Sequence, residues 1–231
     1  MADISKGTRV AFDGQIKVSS QILASIDLLE RHLRQPSYAG AAGTVRKMDN
    51  YRDEWSHFAG NSLFDLQLVD GSILQFKIDP ESRNELSFSY YESPLAVEDY
   101  ASFLQSHHGV TFDEVGDVAR EEYDDYLSSA DLKRSVTMLR YDYSPALYRE
   151  GCHPASHIHI GHRTQVRIGT HRVMNPISFT LFVLRQAYPF HWEKVLTAES
   201  SSEHMKHVRS ALAVVGPQFN GPKDSSEVQL A

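Results

Sequence analysis

The sequence predicts an α+β protein, a single domain with an antiparallel sheet of five or six strands and helices on one side. Alternating apolar residues flank a tight turn at residues 70–72, which is the pattern of a β-hairpin. Strand-like and helix-like segments do not alternate regularly, as they would around a parallel sheet. The 231 residues are 41% hydrophobic, enough for one core. We assign residues 1–215 to this domain and the polar residues 216–231 to a flexible C-terminal tail.

The first predicted element is an amphipathic helix over residues 16–35, which Pro36 ends. Residues 45–57 carry no clear pattern. The hairpin follows, with strands over residues 63–69 and 73–78. Four apolar residues recur at helical spacing in the first helix: Ile22, Ile26, Leu29 and Leu33.

The middle of the chain begins with a predicted strand over residues 86–91. Ser93, followed by a proline, is a typical helix start and predicts a helix over 94–105. An acidic helix is expected over 113–127, and a strand over 136–143.

The last third contains two short predicted strands, over residues 157–160 and 165–168. Asn175, again followed by proline, predicts the start of a helix over 177–188. That helix is apolar on nearly every side, which is typical of a buried helix. A final helix is expected over 203–214.

Charge is distributed unevenly around a formal net charge of −7. Residues 79–132 contain 14 acidic and 2 basic residues, whereas residues 133–185 contain 8 basic and 2 acidic residues. The two segments could simply lie beside each other and neutralise one another. Alternatively, the basic segment, which also holds five of the twelve histidines, forms a face for an anionic ligand such as a phosphodiester.

Several classes of protein receive no support from the sequence. It contains neither a G-x-G-x-x-G nor a P-loop motif for nucleotides. The longest apolar run, from Phe179 to Leu184, is too short to cross a bilayer, and no secretory signal is evident. The single Cys152 allows no internal disulfide. We therefore expect a cytoplasmic protein that does not associate with membranes.

The chemically suggestive feature is the histidine-rich segment from His153 to His171. Side chains two residues apart in a strand share a face, so His157 and His159 are expected to lie side by side. Arg140 and Asp142 share a face of the preceding strand for the same reason. The carboxylate of Asp142 is then the natural partner to orient one of the two histidines.

Three chemistries could use this set. A metal-independent phosphodiesterase would use His157 and His159 as acid and base, with Asp142 orienting them. A divalent metal, if one is present, would be held by the same three residues as a facial triad. A nucleophile pair of Cys152 and His153 is disfavoured, because adjacent residues on an extended chain point apart. The cations that favour phosphate over a metal, and that we expect to bind substrate, are Arg140, His153, Arg163, Arg167 and Arg172.

The run His153-Pro-Ala-Ser-His157-Ile-His159-Ile-Gly resembles an uncharacterised group of bacterial proteins known only as a domain of unknown function. The segments Asn175-Pro-Ile-Ser-Phe179, Arg185-Gln-Ala-Tyr188-Pro and Asp70-Gly-Ser-Ile-Leu-Gln-Phe76 extend this resemblance over most of the chain. The order Arg140-Tyr-Asp142, then His153-Pro and His157-x-His159, more loosely resembles small toxins of bacterial toxin-antitoxin pairs. This second resemblance implies a role in bacterial conflict.

From the residues and this context we expect a toxin or anti-phage component that acts as a metal-independent ribonuclease without a cofactor. Its partners would be an RNA or nucleotide substrate and a protein encoded nearby. One alternative is a non-enzymatic interaction or regulatory subunit, suggested by the charge polarity. A second is a metal-dependent hydrolase. A purely structural role for the paired histidines, as hydrogen-bonding groups on an exposed strand, also remains open.

Overall fold

A computed structural model describes residues 9–34, 36, 48–79, 85–197 and 212–224. The fold is α+β, and its sheet has seven strands in consecutive order, each antiparallel to the next. The strands are β1 (Leu29–His32), β2 (Leu66–Leu68), β3 (Ile73–Ile78), β4 (Leu86–Tyr91), β5 (Met138–Tyr143), β6 (Ser156–Ile160) and β7 (Ile168–Gly169). The α-helices are α1 (Arg9–Ser25), α2 (Tyr51–Gly60), α3 (Tyr100–Phe103), α4 (Phe112–Val115), α5 (Arg120–Ser128), α6 (Pro176–Ala187) and α7 (Pro189–Thr197).

The prediction of five or six strands was wrong because the edge strand β1 was assigned to a helix. Helix α1 ends at Ser25, and Asp27 takes a left-handed conformation with φ 59° that turns the chain back. Residues 29–32 then pair with β2. The apolar spacing suited a helix, but backbone pairing with β2 fixed the second half as a strand.

The predicted hairpin is confirmed between β2 and β3. Gly71 has φ 81°, a conformation that glycine adopts without strain, and the Asp70 side chain accepts a hydrogen bond from the Ser72 backbone N–H. The strand predicted over 86–91 forms β4 and pairs along its whole length with both β3 and β5. These three strands form the centre of the sheet.

One face of the sheet carries the main core. Side chains from the central strands pack there against α1, α6 and α7. Helix α6 begins as predicted, because the Asn175 side chain accepts from the Ser178 backbone N–H and proline follows it. Fully buried members include Phe88, Tyr141 and Ile158.

A helix also covers part of the opposite face of the sheet, so the expectation that the helices lie on one side was wrong. Helix α2, in the segment that showed no clear pattern, places Tyr51 and Phe58 in a second cluster with Ile73, Tyr91 and Met138. These three strand residues alternate with those of the main core and point the other way. Toward the other end of the strands, the rest of this face carries polar side chains.

The connection between β4 and β5 corrects two predicted helices. Ser93 caps a local turn, its Oγ accepting from the Leu95 N–H, and the helix begins only at Tyr100 with Asp99 as its cap. The predicted acidic helix over 113–127 is two helices, α4 and α5, interrupted at Gly116 with φ 56°. Together they enclose a separate aromatic cluster around Phe103 and Tyr123.

The C-terminal part of the chain is described only in places. The helix predicted over 203–214 falls mostly outside the described residues, and Val214 pairs with Arg172 in an isolated bridge. In the segment 216–224, the Asp224 side chain is buried and accepts from the Tyr148 hydroxyl and the Gly151 N–H. Residues 225–231 lie outside the described part. No described helix has the length and apolar character needed to cross a membrane.

Candidate functional site

The histidine pair lies on the polar part of the second face. Strands β5 and β6 pair with Arg140 opposite His159 and Asp142 opposite His157. Alternation therefore places all four side chains on one face, while Ile158 enters the core on the other. The predicted juxtaposition of the two histidines with Asp142 is confirmed.

His157 is oriented by the backbone. Its side chain is buried, and its Nδ1 lies 2.8 Å from the carbonyl oxygen of Pro154. A carbonyl can only accept, so Nδ1 carries a proton and donates it. In the neutral ring Nε2 is then unprotonated, and its lone pair points toward His159.

Polar side-chain atoms of His157, His159 and Asp142 converge on one another. Nε2 of His157 lies 3.0 Å from Nε2 of His159, and the latter nitrogen lies 3.3 Å from Oδ2 of Asp142. The distance from His157 Nε2 to the same oxygen is 4.0 Å. His159 Nδ1 is buried and has no hydrogen-bond partner among the described residues, so the polar contacts of this ring there are made through Nε2.

Asp142 is held in place from two sides. Ser87 donates its hydroxyl to Oδ1 at 2.8 Å, and Arg140 Nε donates to Oδ2 at 2.9 Å. Burial by itself raises the pKa of this carboxyl. The hydrogen bond from His159 and the charge of Arg140 outweigh burial, with help from Ser87, and lower the pKa to about 2. Asp142 is therefore ionised at any physiological pH.

These distances suit a metal ion. Zinc bonds of about 2.0–2.2 Å in a tetrahedral site place neighbouring ligand atoms about 3.3–3.5 Å apart. The separations of 3.0, 3.3 and 4.0 Å in the structure bracket that range. The hydrogen bond from His157 Nδ1 to a carbonyl is the outer contact that metal-binding histidines usually make. Asp142, His157 and His159 thus form a triad that could hold a metal.

The triad opens into a cavity of about 660 Å³, a size typical of small-molecule sites. Arg140 and Arg167 line it, and so does His153, whose ring centroid is 4.9 Å from that of His157. Burial and the charge of Arg167 lower the pKa of His153. The cavity therefore combines the triad with two guanidinium groups and a third imidazole.

Two of the arginines that we expected near substrate lie elsewhere. Arg163 takes φ 51° and lies 3.5 Å from Glu54 on α2, which also bonds His162. Arg172 donates to the backbone carbonyl of Leu212. Neither residue lines the cavity of the triad. Cys152, the other candidate nucleophile, is exposed.

Ser87 is a site residue that the sequence reasoning missed. It contacts Asp142 across two strands that are 55 residues apart in sequence. The alternation of residues 86–91 does place Ser87 and Ser89 on the face opposite Phe88, and this was an available signal. The sequence does not show which strand lies beside residues 86–91, so it could not place Ser87 next to Asp142.

The pKa of His157 leads to a stability prediction for the metal-free protein. Burial, and then the charge of His159, lowers this pKa from 6.5 to about 4. Between these values the unfolded chain binds a proton that the folded chain does not, so stability must fall as the pH drops from 6.5 to about 4. We expect urea unfolding in EDTA to show this loss, and His157→Gln to flatten it. Equal slopes for both proteins would contradict the assignment.

An open antiparallel sheet flanked by helices, with two histidines and a carboxylate clustered on one face, defines an α+β protein with a candidate metal-binding triad. The chain belongs to the family described as "Uncharacterized conserved protein (DUF2290)", whose model matches residues 30–214. No curated protein and no solved structure matches the chain. The family match agrees with the resemblance to a domain of unknown function. The likeness to toxins stays a prediction.

Proposed function

We propose that the protein hydrolyses phosphodiesters with the help of a divalent metal ion held by Asp142, His157 and His159. The observation that carries the proposal is the convergence of these three groups at the floor of a cavity that Arg140 and Arg167 also line. Imidazole and carboxylate together suit zinc or manganese better than magnesium, which prefers oxygen ligands alone. The two guanidinium groups suit a phosphate.

The reaction needs a nucleophile and charge stabilisation. A metal ion held by Asp142, His157 and His159 would supply hydroxide near neutral pH, because it would lower the pKa of a bound water. In the hydrolysis, the oxygen of this water would bond to phosphorus, the ester P–O bond would break, and the leaving oxygen would take up a proton. Arg140 and Arg167 stabilise the charge that develops on the phosphoryl oxygens. His153, beside the triad, is the candidate donor of the proton to the leaving oxygen.

The metal-independent ribonuclease is the second candidate. The guanidinium groups of Arg140 and Arg167 favour it, as they would bind phosphate without a metal. An in-line displacement, however, has its attacking and leaving oxygens on opposite sides of phosphorus. His157 and His159, 3.0 Å apart, lie within hydrogen-bonding distance of each other and are poorly separated for acting on both sides. The metal-dependent reaction avoids this conflict, because in it the two histidines bind the metal and need not act on opposite sides of phosphorus.

The experiment uses full-length protein purified without a histidine tag. Its metal content is measured, and hydrolysis of bis(p-nitrophenyl) phosphate and of mixed RNA is followed with and without EDTA. We expect hydrolysis that EDTA abolishes and that zinc or manganese restores. Arg167→Ala is expected to lower kcat/KM about 100-fold. The matched control Arg185→Ala, an exposed arginine on α6, is expected to leave kcat/KM unchanged.

Each outcome separates the candidates. Cleavage that persists in EDTA and disappears in His157→Ala would favour the metal-independent ribonuclease. No cleavage under any condition would contradict both enzymatic proposals. The interaction or regulatory subunit would then be the better proposal. It is supported by the lobe of residues 92–132, which holds eleven acidic residues and one basic residue around its own aromatic cluster.

We also propose the biological setting that the motifs imply, a toxin or anti-phage component with a protein partner encoded nearby. Support comes from the order of Arg140-Tyr-Asp142, His153-Pro and His157-x-His159 in the sequence. The identity of the neighbouring genes tests it, because a small companion gene is expected for a toxin. A setting among unrelated metabolic genes would contradict it.

A further inference from the structure

We infer that the substrate of this site is a single small nucleotide phosphodiester whose base carries an exocyclic amino group. The inference rests on the proposed function and adds the substrate class. Its basis is the distribution of charge along the cavity. Arg140, Arg167 and Lys77, which pairs with Ser87, line one part of the wall, and Asp79 and Glu85 line another. The substrate should therefore be anionic at one end and rich in hydrogen-bond donors at the other.

Strand register gives the spacing between these two ends. Arg140 and His159 lie in the row of Ser89 on β4, and Asp142 and His157 lie two residues further, in the row of Ser87. Glu85 precedes Ser87 by two residues, so it lies further along the sheet in the same direction, away from Ser89. At about 3.4 Å per residue, Glu85 is about 7 Å along the sheet from the row of Asp142 and His157 and about 14 Å from the row of Arg140 and His159. With its phosphate at the triad, a nucleotide has a sugar and a base that span the distance from there to Glu85.

The acidic end is built to accept hydrogen bonds. Glu85 Oε1 accepts from the Ser144 hydroxyl at 2.9 Å, which fixes the carboxylate and leaves its other oxygen with acceptor capacity. The backbone N–H of Asp79 bonds to the Glu85 carbonyl, so the two carboxylates belong to neighbouring residues on paired chain segments. Carboxylates pair with exocyclic amino groups such as N4 of cytosine. They do not pair with the carbonyl that uracil has at that position.

An exposed apolar side chain also lines the cavity. Leu147 is 59% exposed and suits the flat face of a base. Ile78, Leu86 and Tyr143 pack instead in or against the main core on the other face of the sheet. A long nucleic acid fits less well, because its flanking phosphates would approach Asp79 and Glu85 and be repelled. The cavity therefore favours one nucleotide over a polymer.

The test compares two substrates that differ in one group. The p-nitrophenyl esters of cytidine 5′-phosphate and uridine 5′-phosphate are hydrolysed by the metal-loaded protein, with bis(p-nitrophenyl) phosphate as an ester that has no base. We expect kcat/KM for the cytidine ester to exceed that for the uridine ester about 10-fold. Glu85→Ala should bring this ratio close to one. The control Glu193→Ala, an exposed carboxylate on α7, should keep the native ratio.

The ratio is informative even if Glu85→Ala folds poorly, because any inactive fraction cancels between the two substrates. Equal rates for the cytidine and uridine esters in the native protein would overturn the inference. The proposed function would still stand if bis(p-nitrophenyl) phosphate is hydrolysed. Loss of hydrolysis of all three esters would overturn the proposed function itself. A higher kcat/KM for mixed RNA than for either nucleotide ester would overturn the assignment to a small nucleotide.

Discussion

Alanine in place of His159 is expected to weaken zinc binding at least about 100-fold, since losing an outer contact alone typically costs 10–100-fold. His159 is the central member of the triad. Its Nε2 is 3.0 Å from His157 Nε2 and 3.3 Å from Asp142 Oδ2, so its removal separates the two remaining ligands. Competition with a chromophoric zinc chelator at pH 7.5 measures the affinity. Hydrolysis of bis(p-nitrophenyl) phosphate should fall with it.

Controls separate metal binding from folding. His159 is buried, so His159→Ala could lose affinity through a change in packing. Asp142→Asn keeps the shape of the side chain, removes its charge, and should also lose zinc affinity. His171→Ala removes an exposed histidine that does not line the cavity, and should bind zinc as the native protein does. Native affinity in His159→Ala or in Asp142→Asn would contradict the proposed metal site.

The largest effect on stability is expected from Phe88→Ala, which should lower the free energy of unfolding by about 3–5 kcal/mol. Phe88 lies at the middle of the central strand β4 and is fully buried. Its ring centroid lies 5.4–6.0 Å from those of four other aromatic side chains: Phe76, Tyr141, Phe179 and Phe12. Truncation would leave a cavity bounded by rings from β3, β5, α6 and α1, and neighbouring elements could fill it only in part.

A phenylalanine at the surface provides the control. Phe190 on α7 is 82% exposed, and Phe190→Ala should change the free energy of unfolding by less than about 0.5 kcal/mol. Urea unfolding of each variant in EDTA measures the difference without a contribution from metal binding. A loss below about 1 kcal/mol for Phe88→Ala would mean that this aromatic cluster is not the centre of the core.

The elements that the sequence predicted well depend on local signals. Residues 70–72 form the hairpin turn because Asp and Gly favour it in any context. Asn175 starts helix α6 because its side chain satisfies a free N–H at the helix end. Residues 29–32 were misassigned because their conformation depends on pairing with β2, more than thirty residues away in sequence. The segment that forms α2 showed no clear pattern, so the helix on the second face was missed.

In the candidate site, too, local signals predicted some features, whereas others depend on contacts between distant residues. The two-residue repeat of a strand placed His157 beside His159 and Arg140 beside Asp142, and this followed from sequence alone. Which of the arginines line the cavity could not be predicted from the sequence. Arg163 and Arg167 look equivalent in sequence, but a left-handed turn and the buried Glu54 hold Arg163 away from the cavity that Arg167 lines.

The α+β class, the central strands and the two histidines on one strand face could all be predicted from the sequence, because each follows from the period of the backbone and from local side-chain chemistry. The tertiary structure was needed to show which strand lies beside which, how Ser87 and Arg140 hold Asp142, and that the triad opens into a cavity lined by both cationic and acidic side chains. Those contacts join residues far apart in the chain, and a one-dimensional pattern contains no signal for a distance across a sheet.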